Sequence, residues 1–320
     1  MKSDKVNVKG IIVNLFFTLV FWTLAIALFA MNPEKNIFFL INFGYIGLAF
    51  GLGMTLYQIL PRKKKALGRK LTQFMVGIYL FVFLGIVARQ NIQIEGFWFE
   101  ILYGVMTAPL MHYLIAKILG TPVIGRIYCG WACWTAMVLD VLPFKRNNGR
   151  IPKLGRLRYI HFFLSLAFVL VAWFTLGYNH FSYFQSRTPG QIAYNSQISL
   201  LWFLAGNVIY YAAAIIMAFV LRDNRAFCKY LCPITVFLKL GSPFSLIKIK
   251  GESKKCTSCG TCEKVCPMDI QVSRYIKEGK RVLSSDCTLC QSCKDSCPEK
   301  ILKLSFAFDA GFKNKINYRL

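Results

Sequence analysis

Cysteine is the residue whose spacing carries the most chemical information in this chain. The 320-residue sequence holds 12 cysteines, and two runs near its carboxyl end contain eight of them. The first run reads CTSCGTCEKVCP from Cys256 to Pro267, and the second reads CTLCQSCKDSCP from Cys287 to Pro298. Both follow the pattern C-x2-C-x2-C-x3-C-P, in which three closely spaced thiolates can hold three corners of a cubane iron–sulfur cluster.

The fourth cysteine of each run is expected to reach across to the other cluster, because the proline after it ends the turn. The predicted ligands of one [4Fe-4S] cluster are Cys256, Cys259, Cys262 and Cys297. Those of the other [4Fe-4S] cluster are Cys287, Cys290, Cys293 and Cys266. Zinc sites usually pair two C-x2-C units across a longer gap, and disulfides are disfavoured in a reducing cytoplasm. The doubled run therefore indicates a two-cluster ferredoxin domain that passes single electrons.

The other four cysteines form a second pair of matched motifs. RIYCGWACW begins at Arg126, RAFCKYLCP begins at Arg225, and the two align residue for residue. If a local helix continues through each motif, its two cysteines share one helix face. We interpret both arginines as anchors at the membrane interface, with neutralisation of nearby thiolates as the alternative. We expect one redox or metal site, which soft thiolates suit, at Cys129, Cys133, Cys228 and Cys232.

Long apolar helices must position these motifs. The chain is 56% hydrophobic and has a mean hydropathy of +0.47, which is typical of an integral membrane protein. Runs that approach the ~20 residues needed to cross a bilayer predict six transmembrane helices. They are Ile11 to Met31, Ile37 to Leu60, Leu71 to Val87, Phe97 to Leu119, Tyr159 to Leu176 and Ile198 to Leu221.

The basic residues indicate how the chain is oriented. The formal net charge is +25, and much of it falls in the segments PRKKKALGRK and KRNNGRIPKLGRLR. These basic loops alternate with loops that are nearly free of Lys and Arg, as the positive-inside rule requires for six spans with both termini in the cytoplasm. We therefore assign the charge to topology and membrane lipid, and we expect no nucleic-acid partner.

The composition changes after the last apolar run and divides the chain. Residues 1–221 are predicted to form the six-helix transmembrane domain, and residues 222–250 the second thiol motif with a linker at the cytoplasmic face. Residues 251–305 are predicted to form the two-cluster ferredoxin domain, a small α+β unit, and residues 306–320 a tail.

A few other side chains are weaker candidates for chemistry. His112 and His161 would have to face each other to bind haem, which we do not expect, and His112 is instead a candidate quinone contact. Asp140 follows the first thiol motif, where it would relay protons or pair with a basic neighbour. Glu100 is expected to be solvated near the outer edge of the membrane.

Six spans, twin C-x3-C motifs and a C-terminal two-cluster domain resemble the NapH-type membrane iron–sulfur proteins. That family includes the quinol-dehydrogenase membrane component of periplasmic nitrate reductase, with the electron donor of nitrous-oxide reductase and a cupric reductase of oxidase assembly as relatives. The family's C-x3-C-P motif matches fully at Cys228, Cys232 and Pro233. Trp134 stands where the first motif usually has proline, and we expect it to be an interfacial anchor.

The resemblance implies electron transfer at the bacterial cytoplasmic membrane. Electrons would pass between the quinol pool and a partner, which would be a periplasmic reductase, a cytochrome or a ferredoxin-like subunit. Two [4Fe-4S] clusters and the twin thiol motifs would carry them, and the chain would be the electron-transfer subunit of a quinol dehydrogenase. Two alternatives stay open: a copper reductase or maturation factor, and an iron–sulfur redox sensor.

Overall fold

The computed structural model describes residues 8–32, 37–104, 107–144, 149–176, 178, 184–188, 191–194 and 196–309. The predicted tail at 306–320 is therefore described only as far as Asp309. Most of the described residues are helical. The α-helices before the C-terminal domain are α1 Val8–Met31, α2 Tyr45–Ile59, α3 Lys65–Ile78, α4 Ile94–Tyr103, α5 Ala108–His112, α6 Thr121–Ile124, α7 Ile127–Trp131, α8 Trp134–Leu139, α9 Leu157–Thr175, α10 Ser196–Leu221, α11 Ala226–Tyr230 and α12 Thr235–Gly241. π-Helical turns extend this set at Leu40–Gly44, Tyr79–Val87 and Tyr113–Leu119.

Long apolar helices make this a membrane protein. Within the described ranges, five helices are long and apolar enough to cross a bilayer. They are Gly10–Met31, Leu40–Ile59, Arg62–Val87, Leu154–Thr175 and Gln197–Leu221, and a shorter apolar helix covers Pro109–Ile124. Their outward faces are apolar, as at Phe16 and Val208, which are 61% and 69% exposed. Lipid is the surrounding that such faces require.

The fourth predicted span, Phe97 to Leu119, is not one helix. α4 ends at Tyr103, the next residue, Gly104, adopts the left-handed conformation with φ 68°, and α5 begins a separate helical segment at Ala108. The two segments pack side by side, with the rings of Phe97 and Tyr113 stacked at 4.7 Å between centroids. The prediction of a continuous helix was wrong here, because a left-handed glycine ends a helix even inside an apolar run.

A non-helical segment at residues 88–93 leads into α4 through the protein interior. Asn91, Ile92 and Gln93 are at most 2% exposed. The backbone N–H of Asn91 donates to Ser199 Oγ at 2.9 Å, and that of Ile92 donates to the Gln90 carbonyl at 3.1 Å. In membrane proteins, irregular backbone away from water is tolerated where protein buries it or where it lines a cavity.

Short elements build the cysteine-rich domain. Its helices are α13 Thr261–Lys264, α14 Val272–Lys277 and α15 Ser292–Ser296. Strand β3 Ile247–Lys250 pairs antiparallel with β4 Lys303–Phe306, so the segments before the first cysteine run and after the second are joined. A separate hairpin, β1 Phe184–Thr188 and β2 Gln191–Tyr194, lies between α9 and α10.

Candidate functional site

Two cavities of nearly equal size lie between the cysteine runs of the C-terminal domain. Their volumes are about 370 and about 360 Å³. The cysteines that line the first are Cys256, Cys259, Cys262 and Cys297. The cysteines that line the second are Cys266, Cys287, Cys290 and Cys293. Each cavity is bordered by the four thiols that the spacing assigned to one cluster.

The two cysteine runs share an unusual backbone conformation. Two residues after the first cysteine of each run, Ser258 and Leu289 have φ values of 60° and 50°. Four residues after it, Gly260 and Gln291 have φ values of 69° and 61°. Residues with side chains rarely adopt this left-handed region. Its repetition at matched positions identifies two copies of one tight turn, which folds the first three cysteines around their cavity.

The four cysteines of the earlier motifs also line a single cavity, which we call the membrane-side cavity. Its volume is about 650 Å³. Its cysteines are Cys129, Cys133, Cys228 and Cys232. Thr288 borders both this cavity and the C-terminal cavity that contains Cys287, so these two sites are immediate neighbours.

A turn, rather than a continuous helix, builds each of the earlier thiol motifs. α7 and α11 both end before the second cysteine of their motif. The backbone N–H of Cys133 then donates to the Tyr128 carbonyl at 3.0 Å, and that of Cys232 donates to the Phe227 carbonyl at 2.9 Å. No helix therefore continues through either motif. The two motifs nonetheless share one turn, and both pairs of thiols border the same cavity.

Trp134 replaces proline without altering that turn. The ring is 4% exposed, it lines the membrane-side cavity, and its Nε1–H donates to Asn207 Oδ1 at 3.2 Å. The expectation of an interfacial anchor was wrong, because the indole finds its hydrogen-bond partner inside the protein.

Arg126 and Arg225 are buried beside the thiols instead of anchoring the interface. They are 1% and 2% exposed. Arg225 binds Asp140 through Nε and Nη2, each at 2.7 Å, and its Nη1 lies 3.9 Å from Cys228 Sγ. Burial raises the pKa of Asp140, but Arg225 and then Arg69 lower it to about 2. Asp140 is thus an ion-pair partner of these arginines, the second of the two roles considered for it.

Asp286 joins the C-terminal domain to the membrane part through four basic side chains. Arg126 and Arg158 lie 2.8 and 3.3 Å from its Oδ1. Arg150 and Lys239 lie 2.7 and 3.1 Å from its Oδ2. One carboxylate cannot neutralise four cations, and a buried excess of positive charge is unfavourable without further anions. Thiolate-bound iron–sulfur clusters in the neighbouring cavities would supply that negative charge.

Lys117 contributes a further buried cation next to the membrane-side cavity. Its ammonium lies 3.5 Å from the ring centroid of Tyr113, 5.3 Å from that of Tyr128 and 5.4 Å from that of Trp134. It has no hydrogen-bond partner among the residues that the structure describes, and it interacts electrostatically with the cysteines of the cavity. Sequence reasoning missed Lys117, although a lysine inside an apolar run is itself a signal of function.

The surroundings of this site raise the pKa of two of its thiols, Cys133 and Cys232. Burial, with Cys129 and Cys228 adding to it, raises the pKa of the Cys133 thiol to about 12. Burial, with Cys228 and Cys129 adding to it, also raises the pKa of the Cys232 thiol. A thiol that stays protonated is a weak nucleophile and a slow dithiol reductant. The arrangement therefore favours thiolates bound to a metal centre over free thiol chemistry.

The thiols of each set lie farther apart than the ligands of a single metal ion. Within the described ranges, no three His, Cys, Asp or Glu side chains converge closely enough to hold one metal ion. This is true of the C-terminal cysteine sets as well as of the membrane-side set. A [4Fe-4S] cluster places iron atoms between its sulfur ligands, so it needs a wider arrangement than copper or zinc does.

The two histidines considered for haem have separate partners. His112 Nε2 lies 3.2 Å from the Tyr128 hydroxyl, and His161 Nδ1 lies 2.9 Å from the Leu231 carbonyl oxygen. Tyr128 lines the membrane-side cavity, so Tyr128 lies between His112 and that cavity.

Glu100 is buried rather than solvated, so the expectation for it was wrong. It is 0% exposed, its Oε2 accepts from the backbone N–H of Leu110 at 2.8 Å, and its Oε1 accepts from the Thr107 hydroxyl. Both carboxylate oxygens are therefore occupied by local contacts.

Family models of 4Fe-4S proteins match both regions that contain the cysteine motifs. A 4Fe-4S dicluster domain matches residues 227–302. A 4Fe-4S binding domain matches residues 113–148 and 202–250, which contain the two C-x3-C motifs. No solved structure matches the chain.

Similar proteins occur in archaea and bacteria. An uncharacterised protein of Methanocaldococcus jannaschii is 25% identical over 66% of this chain and 77% of its own length. The ferredoxin-type protein NapH of Haemophilus influenzae is 29% identical over 58% of this chain and 64% of its own. The methylamine utilization ferredoxin-type protein MauN of Methylobacillus flagellatus is 28% identical over 45% of this chain and 48% of its own.

Apolar helices and 4Fe-4S domains together define a membrane-bound, ferredoxin-type electron-transfer protein. The named relatives narrow that class. The chain is similar to the NapH-type 4Fe-4S ferredoxin proteins, the family that its motifs suggested.

Proposed function

We propose that this protein is a membrane electron-transfer subunit that carries electrons from a quinol to a partner oxidoreductase. The observation that carries this proposal is that three sets of four cysteines each line their own cavity. Quinol oxidation releases two electrons, whereas an iron–sulfur cluster accepts one at a time, so several adjacent clusters suit the reaction.

The proposed ligand sets follow the three cavities. One [4Fe-4S] cluster is held by Cys256, Cys259, Cys262 and Cys297, and a second by Cys266, Cys287, Cys290 and Cys293. A third, beyond the two that the sequence predicted, is held by Cys129, Cys133, Cys228 and Cys232. When bound, such clusters supply one-electron carriers, and the buried cations around the membrane-side set stabilise their negative charge.

The order of the cavities suggests the direction of transfer. The membrane-side cavity adjoins the one that contains Cys287, while Cys259 at the remaining cavity is exposed to solvent. Electrons enter from quinol at the membrane-side set and leave near Cys259. The partner that docks there is a reductase, a cytochrome or a ferredoxin-like subunit, and the C-terminal domain lies in the cytoplasm if the basic loops do.

Anaerobic reduction by a soluble quinol analogue tests this function. Adding menadiol to the purified, cluster-loaded protein is expected to bleach the iron–sulfur absorbance and to produce EPR signals of reduced clusters. Dithionite provides the reference for complete reduction. Clusters that dithionite reduces but excess menadiol leaves oxidised would contradict quinol as the electron source.

Lys117→Met is expected to lower the reduction potential of the membrane-side centre. Adding an electron increases the negative charge of that centre, which the buried ammonium stabilises across a medium of low dielectric constant. An EPR-monitored redox titration measures the shift. Lys65→Met is the matched control, because Lys65 also lies over an aromatic ring, that of Tyr57 at 4.8 Å, away from this cavity. An unchanged potential in Lys117→Met would argue against an electrostatic role.

A further inference from the structure

The membrane-side cavity extends beyond its four cysteines. Its volume of about 650 Å³ compares with about 370 Å³ for a C-terminal cavity that is also bordered by four cysteines. Besides the cysteines, the lining contains the charged side chains of Arg126 and Arg225. It also contains four aromatic side chains and one amide, which are Tyr128, Trp134, Tyr210, Phe227 and Gln93. A largely apolar wall with a few polar groups is typical of sites for small planar ligands.

Tyr210 connects this wall to a buried carboxylate. Its hydroxyl donates to Glu95 Oε1 at 2.6 Å. The other oxygen, Glu95 Oε2, is buried and has no hydrogen-bond partner within the described part of the chain. Glu95 lies in the first turn of α4, directly after the buried non-helical segment. An open carboxylate oxygen in such surroundings can accept a proton, and ionisable groups inside membrane proteins commonly serve proton transfer.

A second tyrosine on the same wall, Tyr128, also lies within hydrogen-bond distance of a base. The Tyr128 hydroxyl lies 3.2 Å from His112 Nε2, which accepts a hydrogen bond in the tautomer that carries its proton on Nδ1. The cavity therefore presents two phenol hydroxyls, one connected to a carboxylate and the other to an imidazole. The two bases lie on different helices, α4 and α5.

Gln93 adds an amide to the wall from the non-helical segment. Its Nε2 is buried without a hydrogen-bond partner in the described residues, and its side chain packs against Gly206. A Cβ at Gly206 would collide with Gln93 Oε1, so this glycine allows the amide to occupy its place. A buried amide donor without a partner is unfavourable unless a ligand oxygen meets it.

We propose that this additional space binds the head group of a quinol, with Glu95 and His112 as the acceptors of its two protons. The inference rests on the proposed function. One quinol hydroxyl gives its proton to Tyr210 as Tyr210 passes its own to Glu95, and the other does the same through Tyr128 to His112. Two bound iron–sulfur clusters would each take one of the two electrons, which would convert the quinol to a quinone. Its carbonyl oxygens then accept hydrogen bonds from the tyrosines and from Gln93.

Glu95→Gln tests the proton acceptor against a control in the same helix. Glutamine keeps an acceptor for Tyr210 but cannot take the proton, so menadiol should reduce the clusters about 100-fold more slowly or worse. Tyr210→Phe should behave alike. Glu100→Gln should match the wild type, because the amide can still satisfy Leu110 and Thr107. Dithionite should reduce all four proteins equally, which shows that each has folded and carries its clusters.

Photolabelling with an azidoquinone gives a readout that does not depend on turnover. Adducts are expected on the peptides that contain Gln93 or Tyr210, and Glu95→Gln should retain them because it loses proton transfer but not the cavity. If menadiol reduces the wild type and Glu95→Gln at equal rates, or if the adducts map elsewhere, the inference fails while the proposed function stands. If menadiol does not reduce the wild type, the proposed function itself fails.

Discussion

Replacing Cys232 with serine is expected to prevent menadiol from reducing the C-terminal clusters while leaving those clusters in place. Cys232 lines the membrane-side cavity and neither of the two C-terminal cysteine cavities, and serine is a poor ligand for iron–sulfur clusters. Without the membrane-side centre, electrons from the quinol lose their first acceptor. EPR spectra recorded after menadiol and again after dithionite measure both parts of this result.

Cys259→Ser is the matched control, since it removes a ligand of the same type at the opposite end of the proposed pathway. In that variant, menadiol should still reduce the two centres that remain. If menadiol reduced the C-terminal clusters of Cys232→Ser as fast as those of the wild type, the membrane-side set would not be the point of electron entry.

Asp286→Asn is expected to separate the C-terminal domain from the membrane part and to lower stability by about 3–5 kcal/mol, the usual effect of removing one partner from a buried charge network. Stability is lost because the four basic side chains around Asp286 would no longer have a negatively charged partner there. Although burial opposes its charge, Arg150 and then Lys239 hold the pKa of Asp286 well below its usual range, so the wild-type group stays ionised. Thermal unfolding of the cluster-loaded protein in detergent measures the effect.

Asp309→Asn controls for the general loss of an acidic group. Asp309 binds Lys248 at 2.8 Å and Arg281 at 3.0 Å, but its side chain is more exposed than that of Asp286. It should therefore lower the unfolding temperature less. Equal unfolding temperatures for Asp286→Asn and the wild type would show that the four basic residues do not depend on this carboxylate.

Local spacing predicted the parts of the site that depend on neighbours in sequence. The two C-x2-C-x2-C-x3-C-P runs indicated their cavities because three cysteines of each set lie within one tight turn. The repeated C-x3-C motifs indicated that four further thiols belong to one site. The family that these motifs suggested is confirmed by the similarity to NapH and MauN.

Long-range ion pairs could not be predicted in the same way. Arg126 resembles an interfacial anchor in sequence, yet its partner Asp286 lies 160 positions away. The positive-inside rule counts the basic residues of each loop and takes no account of acidic groups elsewhere in the chain that pair with them. Tyr210 lines the membrane-side cavity and donates to Glu95, which lies 115 positions earlier, and an apolar run gives no sign of that contact.

The positions at which helices end were also difficult to predict from the sequence. Hydropathy placed one span from Phe97 to Leu119, whereas the left-handed Gly104 divides it. The thiol motifs looked helical because an i, i+4 pair shares a helix face, but a hydrogen-bonded turn achieves the same result. In both cases the apolar composition predicted that the segment is buried but did not predict its backbone conformation.

Counting iron and acid-labile sulfide in the purified, anaerobically prepared protein tests the central claim most directly. Three four-cysteine sites, each holding a [4Fe-4S] cluster, predict about twelve iron atoms and about twelve sulfides per chain. A fully loaded preparation with about eight of each would contradict the claim, because it would leave the membrane-side cysteines without a cluster.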